Sequence, residues 1–133
     1  MARLRHFAIV VRDLQKAARF YEEVFELKRV GEETLDFASA VYLSDGTINL
    51  ALLNYKGKRG SGLDDARNFV GAHHFGFQVD DLAATQKKIE AMGGTFFFDL
   101  GNDQEKENFE RKFKDPDGII FDISKKGWQG TRP

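Results

Sequence analysis

Residues 4–11 read Leu-Arg-His-Phe-Ala-Ile-Val-Val, an alternating stretch rich in β-branched side chains, and predict a strand. Asp13 is then a good N-cap for a helix running to about residue 26. Leu14, Ala17, Ala18, Tyr21, Val24 and Phe25 recur in it at helical spacing, and Phe20, Tyr21 and Phe25 read as core. Three short strands follow near 28–34, 38–43 and 47–54, with Ser44-Asp45-Gly46 turning the chain between the last two. The order then repeats. A strand is predicted over 73–79, and Asp81 caps a helix to about residue 92 that Gly93-Gly94 terminates. Strands follow near 95–98, 109–114 and 119–124. Asp115-Pro116-Asp117-Gly118 makes the last turn, where proline pre-sets φ and glycine accepts positive φ.

The repetition extends to residue identities. His6-Phe7-Ala8-Ile9-Val10-Val11-Arg12-Asp13-Leu14 is echoed 68 residues later by His74-Phe75-Gly76-Phe77-Gln78-Val79-Asp80-Asp81-Leu82. A repeat of this kind dictates architecture. The expected organisation is one α+β domain over 1–133, made of two βαβββ modules at 1–55 and 72–125. A basic, glycine-rich then acidic linker joins them at 56–71, with a short helical stretch around 63–70, and an irregular tail covers 126–133.

Alternation assigns faces. Phe7, Ile9 and Val11 suit packing against the first helix, which leaves His6, Ala8 and Val10 opposite. Phe75, Phe77 and Val79 do the same in the second module, leaving His74, Gly76 and Gln78. Both histidines thus face the same way relative to their own helix, with small neighbours beside them, and His73 is expected to point away from His74 with a structural role. In the last strand Ile119, Phe121 and Ile123 share one face, so Asp122 is a carboxylate inside an apolar strand. A buried acid without a partner is costly, so it requires a cation or good hydrogen bonds. Asn49 occupies the corresponding seat of the first module. His6, His74 and Asp122, with Asn49 as a fourth polar group, form a donor set for one divalent ion of iron, manganese, nickel, cobalt or zinc.

Composition narrows the chemistry. There are no cysteines, so disulfides, thiolate metal sites and cysteine nucleophiles are excluded. A formal net charge of -1 offers nothing to nucleic acid or an anionic membrane. The longest early apolar run, 7–11, is too short for a secretory or spanning segment, so a cytoplasmic protein is expected.

In this order and spacing the residues resemble the vicinal-oxygen-chelate superfamily, which includes glyoxalases, bleomycin-resistance proteins and dioxygenases. The features that carry the likeness are the strand His followed seven residues later by Asp-Leu, the helix segment Arg19-Phe20-Tyr21-Glu22-Glu23-Val24-Phe25, His74 through Asp80-Asp81-Leu82, and the Asp115-Pro116-Asp117-Gly118 turn with Asp122 beyond it. The resemblance implies two modules curling into a cupped mixed sheet. It implies metal ligands from the first, fourth, fifth and eighth strands, here His6, Asn49, His74 and Asp122. Asp122 stands where the family usually has Glu. Asn49 stands where glyoxalase I has Glu and the acyl-CoA epimerase Gln, and an amide cannot abstract a proton.

The favoured expectation is a metal-dependent enzyme, a lyase or isomerase or a dioxygenase, that chelates a small substrate through neighbouring oxygens. The alternative is a metal-free, bleomycin-resistance-type binding protein. A homodimer is expected in either case. Substrate contacts are expected from Phe98, within the Phe96-Phe97-Phe98 run, from Lys58 and Arg59 in a linker that either solvates freely or closes as a lid, and from Trp128, which either covers the cup or lies in a dimer interface.

Overall fold

A computed structural model describes residues 1–99 and 110–133 of the chain. Phe109, the first residue of the predicted seventh strand, lies outside the described residues. The elements run β1 (Arg3–Val10), α1 (Leu14–Phe25), β2 (Lys28–Thr34), β3 (Ala38–Ser44), β4 (Asn49–Tyr55), β5 (Gly71–Gln78), α2 (Leu82–Ala91), β6 (Thr95–Asp99), β7 (Glu110–Lys114) and β8 (Ile120–Ser124). Both helices start where a local acceptor makes them start. The Asp13 side chain accepts from Lys16 N–H and the Asp81 side chain from Ala84 N–H, each satisfying a donor that the first turn leaves unpaired.

All eight strands form one sheet in the order β2-β3-β4-β1-β5-β8-β7-β6. The two βαβββ units meet at its centre, where β1 and β5 pair antiparallel. On either side β1 pairs with β4 and β5 with β8, both parallel, and the outer pairs are antiparallel. This symmetric order puts one row of residues straight across the middle: Ser44, Asn49, His6, Gly76, Asp122 and Lys112 are successive cross-strand partners.

Both helices cover the same face of the sheet. Leu14, Ala17, Ala18 and Tyr21 of α1 pack on Val41, Leu43 and Leu52, joined by Ile9 and Val11. Leu82 and Ile89 of α2 pack with Phe77, Val79, Phe113, Phe121 and Ile123. Of the helix-facing sets read from alternation, Ile9 and Val11, Phe77 and Val79, and Phe121 and Ile123 lie in these clusters, whereas Phe7 and Ile119 are 40% and 50% exposed. The aromatic residues of α1 depart from expectation. Tyr21 is in the packed group, but Phe20 and Phe25 are 55% and 60% exposed. The buried stripe is the narrow set 14, 17, 18 and 21. Phe20 falls off it, and Phe25, in the last turn, leans on Tyr21 with ring centroids 6.2 Å apart.

The opposite face of the first unit is closed by the linker. Leu63, Ala66 and Phe69 pack over Ala8, Val10, Ala40, Ala51, Leu53 and Tyr55. The segment does so through turns, not the expected short helix. Gly60 and Gly62 both hold positive φ, and Gly60 has the Phe37 ring where a Cβ would stand.

Among the described residues no helix is long and apolar enough to cross a membrane.

Candidate metal centre

The sheet face away from the helices carries a buried polar group in the middle of an apolar surface. His6, His74, Asp122, Asn49 and Lys112 are all at most 4% exposed. The Nε2 atoms of His6 and His74 are 3.3 Å apart. Asp122 Oδ2 lies 3.3 Å from His74 Nε2 and 3.6 Å from His6 Nε2. These edges suit a single ion: ligands about 2.1 Å from a tetrahedral centre stand roughly 3.4 Å from one another.

The hydrogen bonds behind the two rings determine what they present. Asn49 donates through Nδ2 to the Gln129 carbonyl (2.9 Å), so its Oδ1 is the atom that faces His6 Nδ1, also at 2.9 Å. His6 therefore donates from Nδ1 and leaves Nε2 a lone pair. Asn49, read from sequence as a fourth polar group, has both amide atoms engaged in orienting His6.

The second ring is set by a longer chain. His73 Nε2 can only donate to the Ser61 carbonyl, 2.7 Å away. A neutral His73 then accepts at Nδ1, which is 2.7 Å from His74 Nδ1, so His74 donates there and its Nε2 is likewise a lone pair. Two imidazole lone pairs and a carboxylate oxygen thus converge with no proton between the two rings. That is the donor set a divalent cation takes, with ring orientation fixed from behind.

His73 departs from the face assigned to it. Ala8 pairs with His74 but Ile9 pairs with Ala72, so β5 carries one extra residue here. This bulge turns His73 to the same side as its neighbour, where it contacts His74 and also Tyr55, with ring centroids 5.0 Å apart in both cases. Strict alternation cannot show this, because a bulge is a property of the pairing.

Asp122 has the cation that its burial demands, and it comes from within the chain. Lys112, directly opposite on β7, donates through Nζ to Asp122 Oδ1 (2.9 Å) and Oδ2 (3.1 Å), and lies 3.3 Å from His74 Nε2. Alternation had a signal for it. Phe113 faces α2, so Lys112 and Glu110 must face the other way. Glu110 accepts from Trp128 Nε1–H at 2.9 Å.

Burial dominates the electrostatics. It lowers the pKa of His6 against the pull of Glu110 and Asp122. It holds His74 well below the ordinary histidine range, reinforced by Lys112. His73 is lowered for the same reason. Burial, then the Asp122 charge, raises Glu110. Burial alone would lower Lys112, yet Asp122 and Glu110 more than offset it and keep the ammonium charged.

Trp128 stacks on His6 with centroids 4.7 Å apart and planes 3° from parallel, so it roofs the centre. The other substrate-facing candidates have local partners of their own. Phe98 meets Phe37 edge-on at 5.3 Å, Arg59 lies over the same ring, and Lys58 pairs with Asp64 at the surface. A different trio of cations, Arg12, Lys56 and Arg67, lines a cleft of about 390 Å³ together with Tyr55 and Phe69. Tyr55 connects that cleft to His73.

Residues 3–123 match the family model of the glyoxalase/bleomycin resistance protein/dioxygenase superfamily, and the chain belongs to that superfamily. It is 27% identical over 130 residues to a protein of Arabidopsis thaliana named probable lactoylglutathione lyase, chloroplastic, aligning over 94% of this chain. The chain spans only 36% of that protein's length. It is also 27% identical over 101 residues to the uncharacterized protein YwbC of Bacillus subtilis, covering 71% of this chain and 74% of that one. Among solved structures, the fold is shared with a hypothetical protein of Bacillus halodurans (TM-score 0.74, 16% identity, 92% of each chain). It is shared too with Streptomyces coelicolor methylmalonyl-CoA epimerase in complex with 2-nitronate-propionyl-CoA (TM-score 0.73, 18% identity, 91% and 94% of the chains).

Proposed function

We propose that the protein is a metal-dependent enzyme that takes a small substrate bearing neighbouring oxygen atoms, with His6, His74 and Asp122 as the metal ligands. One observation carries the reading: the lone pairs of His6 Nε2 and His74 Nε2 converge with Asp122 Oδ2 at 3.3–3.6 Å, each imidazole tautomer being set by a hydrogen bond from behind. A divalent ion there would supply Lewis acidity toward a carbonyl or enol oxygen.

The chain's own residues do the rest. Asn49 and the His73–Ser61 pair orient the rings. Trp128 keeps bulk water from the His6 side, and Glu110 is a carboxyl group on the same face, inclined by burial to hold a proton. Glu110 offers the proton-handling group that Asn49 cannot be, which brings lyase or isomerase chemistry within reach and accords with relatives named for a lyase and an epimerase. The cleft cations Arg12, Lys56 and Arg67 suit an anionic substituent on the substrate.

A second reading, a metal-free small-molecule binding protein, is favoured by Lys112, whose ammonium already neutralises Asp122. Elemental analysis of protein purified without chelator or affinity tag separates the two. The enzyme reading expects about one equivalent of a transition metal, absent from a His74→Ala variant. No metal in the native protein, and no rise in melting temperature when each ion is added back, would sink it in favour of the binding protein.

A further inference from the structure

We infer that Lys112 is a tethered counter-cation that competes with the metal ion for Asp122 and His74, so that a metal can enter only as the ammonium withdraws. The inference rests on the reading of His6, His74 and Asp122 as metal ligands.

Lys112 lies opposite Asp122 in the β7–β8 register, and its Nζ contacts both oxygens of that carboxylate at 2.9 and 3.1 Å and the His74 lone pair at 3.3 Å. Two of the three proposed ligands are therefore already donated to. His6 Nε2 is the third, and it faces His74 Nε2 and Asp122 Oδ2, neither of which carries a proton to give it. An ammonium can satisfy part of this acceptor cluster, whereas a metal would satisfy all of it. Lys112 is 4% exposed and Asp122 is fully buried, so solvent screens the repulsion between the ammonium and an incoming dication poorly. A lysine is suited to such a role because its charge rides on a flexible four-carbon stem that can retract while the strand stays in place. The neighbouring carboxyl group of Glu110, two residues along the same face of β7, offers the departing ammonium a second oxygen acceptor.

The test is calorimetric titration of the chelator-treated native protein with zinc alone, beside Lys112→Met, Lys112→Gln and Lys112→Arg, each first checked for a native far-ultraviolet spectrum and cooperative melting. Displacing a cation held by a charge-assisted hydrogen bond weakens binding by about tenfold or more. Lys112→Met should therefore bind zinc at least about tenfold more tightly than the native chain, and Lys112→Arg, which keeps the charge, should not. Lys112→Gln should follow Met, and it carries the test if the Met variant does not fold. Native protein and the uncharged variants binding one equivalent with the same affinity would overturn the competition while leaving the metal-enzyme reading intact. So would an equal gain in the Arg variant. Tight binding by the uncharged variants and none by the native chain would uphold the competition and overturn the enzyme reading. No binding by any of them would remove both.

Discussion

Gly76 lies between His6 and Asp122 in the row across the sheet, and the space above it is filled by the chain's one tryptophan. A Cβ at position 76 would stand 2.7 Å from both Cζ2 and Cη2 of Trp128 and 3.1 Å from the His6 Cβ. Carbon atoms in good contact lie about 3.5–4.0 Å apart, so in Gly76→Ala the indole has to withdraw by roughly 1 Å. Gly76 does not have the positive φ that would itself penalise alanine, so the effect isolates packing.

Withdrawal strains or breaks two contacts at once: the 4.7 Å stack on His6 and the 2.9 Å hydrogen bond from Nε1 to Glu110. Overpacking of this kind costs about 1–3 kcal/mol. A weakened hydrogen bond adds about 0.5–1.5 kcal/mol. The lower entropy of an unfolded chain with alanine returns about 0.4–1 kcal/mol. The net loss expected is roughly 0.5–4 kcal/mol, centred near 2. Urea unfolding followed by Trp128 emission measures both halves of the argument, since the fluorophore is the displaced group. The variant should unfold at lower urea, and its folded emission should move to the red. A loss below about 0.5 kcal/mol with an unmoved emission maximum would refute the packing account of the roof.

Three further outcomes follow from the same geometry. Phe113→Ala, at a fully buried ring stacked on Phe121, should cost about 3–5 kcal/mol, and Phe20→Ser, at a ring 55% exposed, less than about 1 kcal/mol, both read from denaturant midpoints. For pH, His6, His73 and His74 all have folded pKa values below the ordinary one, so the unfolded chain binds more protons below about pH 6.5 and metal-free stability should fall as pH drops from 7 toward 5. Glu110, raised by burial, works in the opposite direction from the carboxylate range upward, but as one group against three; a flat profile would contradict the buried, neutral rings. His74→Ala should purify without metal and bind none on titration, whereas Phe20→Ser should keep it, as elemental analysis would show.

Much of this molecule is legible along the chain because its signals are local. The repeat from His6 to Leu14 and from His74 to Leu82 states that one unit occurs twice, and helix caps at Asp13 and Asp81 need only a side chain three residues from a free N–H. Period-two alternation is equally local. It suffices to turn His6, His74 and Asp122 away from the helices, and burial of a carboxylate in an apolar strand already implies a cation. What the tertiary structure decided depends on pairing between distant strands. The cation is Lys112 because β7 lies opposite β8 in that register. His73 faces the centre because β5 carries a bulge against β1 that neither strand announces alone. Phe20 and Phe25 are apolar at helical spacing, yet they stay outside because α1 meets the sheet only along the stripe of Leu14, Ala17, Ala18 and Tyr21. Asn49 orients His6 and Trp128 roofs it because a tail 80 residues further on returns to the first module, a contact that no periodicity encodes.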